Sequence, residues 1–131
     1  MQQIQSVSDS ELILMRIIWE HGGVALYAQI ASDLTQKNLA WKKSTIVTLL
    51  WRLVEKGMLK TNKLGRRNEY SAIVSEQEYS TAQTMQLVDK VYEGDVQGLI
   101  ATLIHQNIIT DVDKAQLIKT WKGSGDSDNN E

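Results

Sequence analysis

Residues 41–57 read Trp41-Lys42-Lys43-Ser44-Thr45-Ile46-Val47-Thr48-Leu49-Leu50-Trp51-Arg52-Leu53-Val54-Glu55-Lys56-Gly57. Ile46, Leu49, Leu50, Leu53 and Val54 recur at i, i+3, i+4, i+7 and i+8, so one side of an α-helix is apolar. Gly57 follows as its C-terminal cap. The other side carries Ser44, Thr45, Val47, Thr48, Trp51 and Arg52. Small hydroxyls, a methyl-bearing side chain and an arginine suit base edges and phosphates better than they suit plain solvent.

After Gly57 the period changes from helical to alternating. Met58–Lys63 and Arg67–Ile73 flank Leu64-Gly65-Arg66, and Gly65 supplies the positive φ of a tight turn. The product is a β-hairpin with a basic tip. Upstream, Ser8-Asp9-Ser10-Glu11 has capping-box spacing and opens a helix over 9–21, with Leu12, Met15, Ile18 and Trp19 inward and Gly22-Gly23 ending it. A short second helix over 26–34 turns Ile30, Ala31 and Leu34 inward. Three helices followed by a basic hairpin is the order of a winged helix-turn-helix, whose third helix enters the DNA major groove. The fold class expected is mainly α.

Charge sharpens this. The chain has 131 residues and a formal net charge of −2, with 42% hydrophobic and 23% charged residues, ordinary for a globular protein. Residues 1–75 hold ten Lys/Arg against six Asp/Glu, a net of +4, and residues 76–131 hold four against ten, a net of −6. Between Gln36 and Asn68 nine basic residues meet one acid, Glu55. Such a field attracts polyanions whatever the overall charge.

The second half reads as three helices. Ser75-Glu76-Gln77-Glu78 is a capping box opening a helix to about Tyr92. Gly94-Asp95 breaks the chain, and Val96, Leu99, Ile100, Leu103 and Ile104 repeat the apolar stripe. Thr110 with Asp113 caps a last helix containing Leu117, Ile118 and Trp121. These helices cannot bury their apolar faces alone, so a two-fold partner is expected. The domains expected are a winged helix over 1–74, a helical dimerisation domain over 75–121 and a disordered polar tail over 122–131. Trp19, Trp121 and Tyr70 are expected in the core. Trp41 packs at the entry to the third helix, and Trp51 lies opposite its apolar stripe.

Other chemistries are unsupported. The chain has no cysteine, which excludes a disulfide framework, a thiolate zinc site, an iron–sulfur cluster and a cysteine nucleophile. No P-loop, GxGxxG, GxSxG or HExxH pattern occurs, and His21 and His105 share no metal-ligand spacing. The expectation is no enzyme, no cofactor and no metal. No apolar run nears the ~20 residues that span a bilayer, and the N-terminus lacks the regions of a signal peptide, so no membrane partner and a cytoplasmic location are expected.

At this point the chain resembles the penicillinase repressor family, with its methicillin-resistance and copper-transport members. The resemblance runs from about Ser8 to Trp121. Its densest stretches are Ser8-Asp9-Ser10-Glu11-Leu12 with Met15 and Ile18-Trp19, then Trp41–Ile46, Thr48-Leu49-Leu50 and Arg52–Gly57. Gly65-Arg66, Tyr70-Ser71 and Val91–Gly94 match more weakly. The resemblance implies a dimeric repressor whose winged helix binds a palindromic operator of TGTA/TACA-type half-sites and whose C-terminal helices interlock the protomers. Thr45, Thr48 and Arg52 match family positions. Ser44 and Val47 replace a lysine and a longer polar residue, and Lys42-Lys43 stand where Ser-Pro is common, with Lys43 in place of the displaced lysine. Antibiotic-responsive members are cleaved between an Asn and a Phe; the matching place here is Thr102-Leu103. Copper-responsive members end in Cys-x-Cys pairs, absent here.

The site expected on duplex DNA is Lys42, Lys43, Ser44, Thr45, Thr48 and Arg52 in or beside the major groove, with Lys60, Lys63, Arg66 and Arg67 on the backbone from the wing. A winged-helix adaptor meeting an acidic protein, or a small-ligand-responsive regulator of the same fold, remain open alternatives.

Overall fold

In the computed structural model, which describes residues 3–129 with side chains to residue 123, Ser8 opens the first helix, α1 (Asp9–Glu20). Its hydroxyl accepts the Glu11 N–H at 3.2 Å, and the Glu11 carboxylate accepts the Ser8 N–H at 2.7 Å. The capping box thus closes as the spacing requires. A short strand β1 (Val24–Leu26) leads into α2 (Tyr27–Gln36), then α3 (Lys43–Glu55). The hairpin is β2 (Leu59–Leu64) and β3 (Arg67–Ala72). The helices α4 (Glu76–Lys90), α5 (Val96–His105) and α6 (Asp111–Asn129) follow. The chain is mainly helical with one small antiparallel sheet.

β1 is absent from the sequence reading, which starts the second helix at Leu26. Three residues are too few to show a period, yet they complete the sheet. The strand order is β1-β3-β2, with Ala25 opposite Tyr70 and Thr61 opposite Tyr70 on the other side. β3 is therefore the central strand, and both its neighbours run antiparallel to it.

The chain divides into two compact units, Met1–Thr84 and Met85–Glu131. In the first, Leu14, Met15, Ile17 and Ile18 of α1 pack with Ile30 and Leu34 of α2, with Ile46, Leu49, Leu50 and Leu53 of α3, and with Met58, Leu59 and Tyr70. The inner face of α1 is rotated from the expected stripe: Glu11, Leu14, Met15 and Ile18 line it, while Leu12 and Trp19 are half-buried. A charged residue opens this stripe, so counting apolar positions alone misses its phase. The unit extends past the expected boundary at 74/75 because Tyr79 of α4 docks on the core. Tyr79 is buried, its hydroxyl accepts the Val7 N–H at 3.0 Å, and its ring lies 6.1 Å from that of Trp19. Trp19 donates its indole N–H to the Val74 carbonyl at 2.9 Å.

The end of α3 is sealed twice. Gly57, at φ +79°, lets its own N–H reach the Val54 carbonyl and the Met58 N–H reach the Leu53 carbonyl, a Schellman closure. Beside it the Lys56 ammonium donates to Glu11 Oε1 at 2.7 Å. Glu11 is 1% exposed. Burial pushes its carboxyl pKa up, but the hydrogen bonds from Lys56 and Ser8 outweigh this and hold it below its ordinary value.

In the second unit α4 ends, and α5 and α6 keep large apolar side chains exposed, among them Val91, Ile100, Leu117 and Ile118. Trp121, expected in the core, is 81% exposed, because every described side chain of α6 faces solvent in the single chain. The Thr110–Asp113 box opens α6 as expected, with reciprocal bonds of 3.0 and 3.1 Å. The α6 backbone continues through Asn129, across most of the stretch expected to be disordered, since each further residue of a nucleated helix adds a hydrogen bond. Residues 130–131 and the side chains from 124 lie outside the described residues.

Lys56→Met leaves the Glu11 charge buried and unpaired. Unfolding in urea should report a loss of about 3 kcal/mol, the low end for buried pairs because Lys56 is 29% exposed. Glu11→Gln in the same chain, which removes that charge, should recover much of it. Because the folded Glu11 pKa lies below its ordinary 4.5, its contribution is complete above that value and lost as pH falls through the folded pKa. The Lys56→Met chain should lose less stability over that acid range.

Candidate nucleic-acid interface

With Ile46, Leu49, Leu50 and Leu53 turned into the core, α3 has no choice about what it shows outside. Ser44, Thr45, Val47, Thr48, Trp51 and Arg52 are all exposed, as are Lys42 and Lys43. Lys42 is the N-cap residue and its side chain makes no capping hydrogen bond, so the first N–H groups of α3 have no side-chain cap. Two basic residues and a positive helix end thus coincide.

The wing turns through Gly65-Arg66, between the paired Leu64 and Arg67. Gly65 has φ +65°, at the first turn position, where hairpin turns of this length commonly take glycine. Beyond Leu59 every residue of β2 is exposed, so the wing projects from the core. Arg66 and Arg67 reach back toward α3. With Lys43 and Val47, the start of α2 (Leu26, Tyr27, Ala28), Asn68 and Tyr70, they line a cleft of about 560 Å³. Lys43 holds its ammonium 5.6 Å from the centre of the Tyr27 ring, a cation–π distance. Burial, and then the neighbouring Tyr27, pushes the Tyr70 pKa above its ordinary value, so Tyr70 stays a neutral phenol. On the other flank of α3 a shallower hollow of about 260 Å³ is lined by Ser44, Thr45, Thr48, Leu49 and Arg52.

All ten residues expected at the site are exposed, and among the described residues none of them forms an ion pair. The structure gathers Lys42, Lys43, Ser44, Thr45, Thr48 and Arg52 on α3, and brings Arg66 and Arg67 to its flank. It separates the two wing lysines. Lys63 pairs with Asn68 and shares a strand face with core residue Leu59, whereas Lys60 pairs with Ser71 on the opposite face. Three residues apart in a strand means opposite sides, which the basic count hides. Tyr27, which supports Lys43, and Asn68 were not singled out from sequence. Tyr27 follows β1, and without that strand nothing places it beside α3.

A family model described as Penicillinase repressor matches residues 7–123. The chain belongs to the penicillinase repressor family. Among its relatives, a 16.5 kDa protein in the ptsI 3′ region of Latilactobacillus sakei is 38% identical over 116 residues, 88% of this chain and 78% of that one. The penicillinase repressor of Bacillus licheniformis is 28% identical over 107 residues, 82% of each chain. Among solved structures, the DNA-binding domain of the repressor BlaI is similar with a TM-score of 0.52 and 35% identity, over 60% of this chain and 94% of that one. The first unit therefore has the winged-helix fold expected from sequence. Among the described residues, no helix is long and apolar enough to cross a membrane.

Because the presented face is free of packing duties, Thr48→Ala and Arg66→Ala should each change unfolding stability by no more than about 0.5 kcal/mol. Leu53→Ala, which empties a fully buried site, should cost about 2–5 kcal/mol. Urea titration of the three variants separates the presenting face from the core.

Proposed function

We propose that this chain is a transcriptional repressor that occupies a palindromic operator in duplex DNA as a homodimer. The observation that carries the reading is the face of α3: hydroxyls and cations exposed, without ion pairs among the described residues and flanked by a basic wing. Family membership supports it. So does the similarity, with a TM-score of 0.50 and 35% identity, to the Bacillus licheniformis BlaI monomeric form in complex with the blaP half-operator.

In this reading α3 enters the major groove. Ser44, Thr45 and Thr48 face base edges, and Arg52 takes a base edge or a phosphate. Lys42 and Lys43 meet phosphates at the helix N-terminus, where unsatisfied N–H groups and the dipole favour an anion. Arg66, Arg67 and Lys63 hold the backbone from the wing, and Lys60, on the other wing face, adds long-range field. Residues 75–121 pair the protomers through the apolar groups that α4, α5 and α6 expose. The two-fold axis then sets the half-site spacing. Residues 1–74 are the reading domain, and the chain acts in the cytoplasm by binding, with no catalysis and no cofactor. Repression follows from occupying DNA that a polymerase needs.

Binding to a duplex carrying an inverted TACA/TGTA repeat, titrated by fluorescence anisotropy across salt concentrations, tests this. The slope of log K on log[salt] should be about −0.9 per phosphate neutralised. Arg66→Ala should weaken all duplexes alike and flatten the slope by about 1. Thr48→Ala should cost about 1–3 kcal/mol at one base pair and relax the preference there. Affinity independent of salt, or no affinity for duplex at all, overturns the reading. In sedimentation equilibrium the full chain should be a dimer and Ile100→Glu a monomer.

A further inference from the structure

The centre of the exposed ridge of α3 carries none of the side chains that make two hydrogen bonds to one base. At 100° per residue, the direction opposite Ile46, Leu49, Leu50 and Leu53 is occupied by Ser44, Thr48, Trp51 and Glu55, with Val47 on one side of them and Arg52 equally far on the other. Val47 is 43% exposed and Trp51 60% exposed. The centre of the ridge therefore offers two short hydroxyls, an indole and the Glu55 carboxylate, with the Val47 isopropyl group on one flank and the Arg52 guanidinium on the other. At that centre no Arg, Lys, Asn or Gln stands to grip guanine or adenine bidentately; Arg52 on the flank is the nearest such group. Neither apolar group belongs to the core cluster or to the partly buried shell around it.

What covers this patch is decided by its surroundings. Lys42 and Lys43 lie at its N-terminal end, Arg52 beside it, and Arg66 and Arg67 across the cleft from Val47. An apolar protein partner would have to bury these cations, at a cost, whereas a polyanion neutralises them. The apolar group that a polyanionic duplex offers in its major groove is the 5-methyl of thymine.

We propose that Val47 and Trp51 read thymine methyl groups, so that this repressor selects its operator by apolar contact at positions where guanidinium and amide side chains commonly read hydrogen bonds. The inference rests on the DNA-binding reading above and adds its base specificity. Val47 and Trp51 are four residues apart, about 6 Å along the helix axis. That is close to two base-pair steps of about 3.4 Å. The pair therefore addresses methyl groups about two steps apart in one half-site.

The test begins with the full chain and a pool of randomised duplexes, from which the preferred sequence is selected. Each thymine of the selected duplex is then replaced by deoxyuridine, which pairs identically and lacks only the methyl. At one or two positions per half-site the affinity should fall about three- to fivefold, the worth of one buried methyl. Val47→Ala should weaken binding to the thymine duplex and abolish the deoxyuridine penalty at one position. Trp51→Ala should do the same about two base pairs away. Both residues are exposed, and an unchanged urea midpoint confirms folding. If no sequence is preferred over random duplex, the reading as an operator-specific repressor fails and this inference with it. If a preferred duplex emerges but deoxyuridine is harmless throughout, or its penalties persist in both alanine variants, the inference alone is overturned.

Discussion

The Glu11 carboxylate lies where α1 begins and α3 ends, and one of its oxygens accepts from both the Ser8 N–H and the Lys56 ammonium. A carboxylate buried without partners costs several kcal/mol, so the two helix ends must remain together for the charge to be tolerated. Its other oxygen, also buried, has no hydrogen-bond partner among the described residues, so the contact with Lys56 carries much of the compensation. Lys56 is the C-cap of α3, and Gly57 and Met58 immediately turn the chain into β2. The start of α1, the end of the presenting helix and the root of the wing thus share one electrostatic contact. It constrains rotation of α3 about its own axis. A shift of one residue would turn that helix by about 100° and put different side chains on the exposed ridge. The ion pair and the Ile46–Leu49–Leu50–Leu53 stripe therefore specify the same rotation, one by charge and one by packing.

Much of this was legible in the order of residues. Three capping boxes, at Ser8, Ser75 and Thr110, are each written in four consecutive positions and each closes as spelled. The phase of α3 is legible because its stripe is wholly apolar. What was hidden needed partners distant in sequence. β1 has three residues, and its pairing is with β3, more than forty positions away. Glu11 looks like a capping residue alone until Lys56 arrives beside it, 45 residues later in the chain. The separation of Lys60 from Lys63 follows from strand alternation, but only once the strand's register is known. Trp121 sits on a helical stripe that the single chain leaves exposed, because a stripe specifies a face and not what covers it.

In the proposed reading the wing and α3 divide their work by reach. The wing tip extends two arginines from a hairpin of two six-residue strands whose outer part is exposed. Side chains of this kind adapt to a phosphate backbone, which is uniform in sequence. α3 is held from below along four buried residues and sealed at its C-terminus, so its ridge presents its side chains, Ser44, Val47 and Thr48 among them, at fixed spacing. Short side chains on a rigid helix discriminate shape, and they lose little rotamer entropy when they do. In the proposed reading the long cations would supply affinity while Ser44, Val47, Thr48 and Trp51 would supply selection, which suits a chain whose charge is concentrated in one segment.

The same physics bears on how such a reader is released. The Thr102-Leu103 pair, singled out in the sequence by the family resemblance alone, lies inside α5 (Val96–His105). Thr102 donates its hydroxyl to the Gly98 carbonyl at 3.0 Å, and the Gln106 N–H returns to the Thr102 carbonyl at 3.0 Å. The peptide between these residues is therefore enclosed by helical hydrogen bonds on both sides. Any protease that needs an extended strand must first open the last turns of α5. The whole of α5 is ten residues without a buried side chain in the single chain, so its resistance to opening comes from whatever its apolar face, including Ile100 and Ile104, is packed against. Pairing the protomers through that face would then protect the backbone and align the two reading helices at once, so that release and recognition draw on the same buried surface.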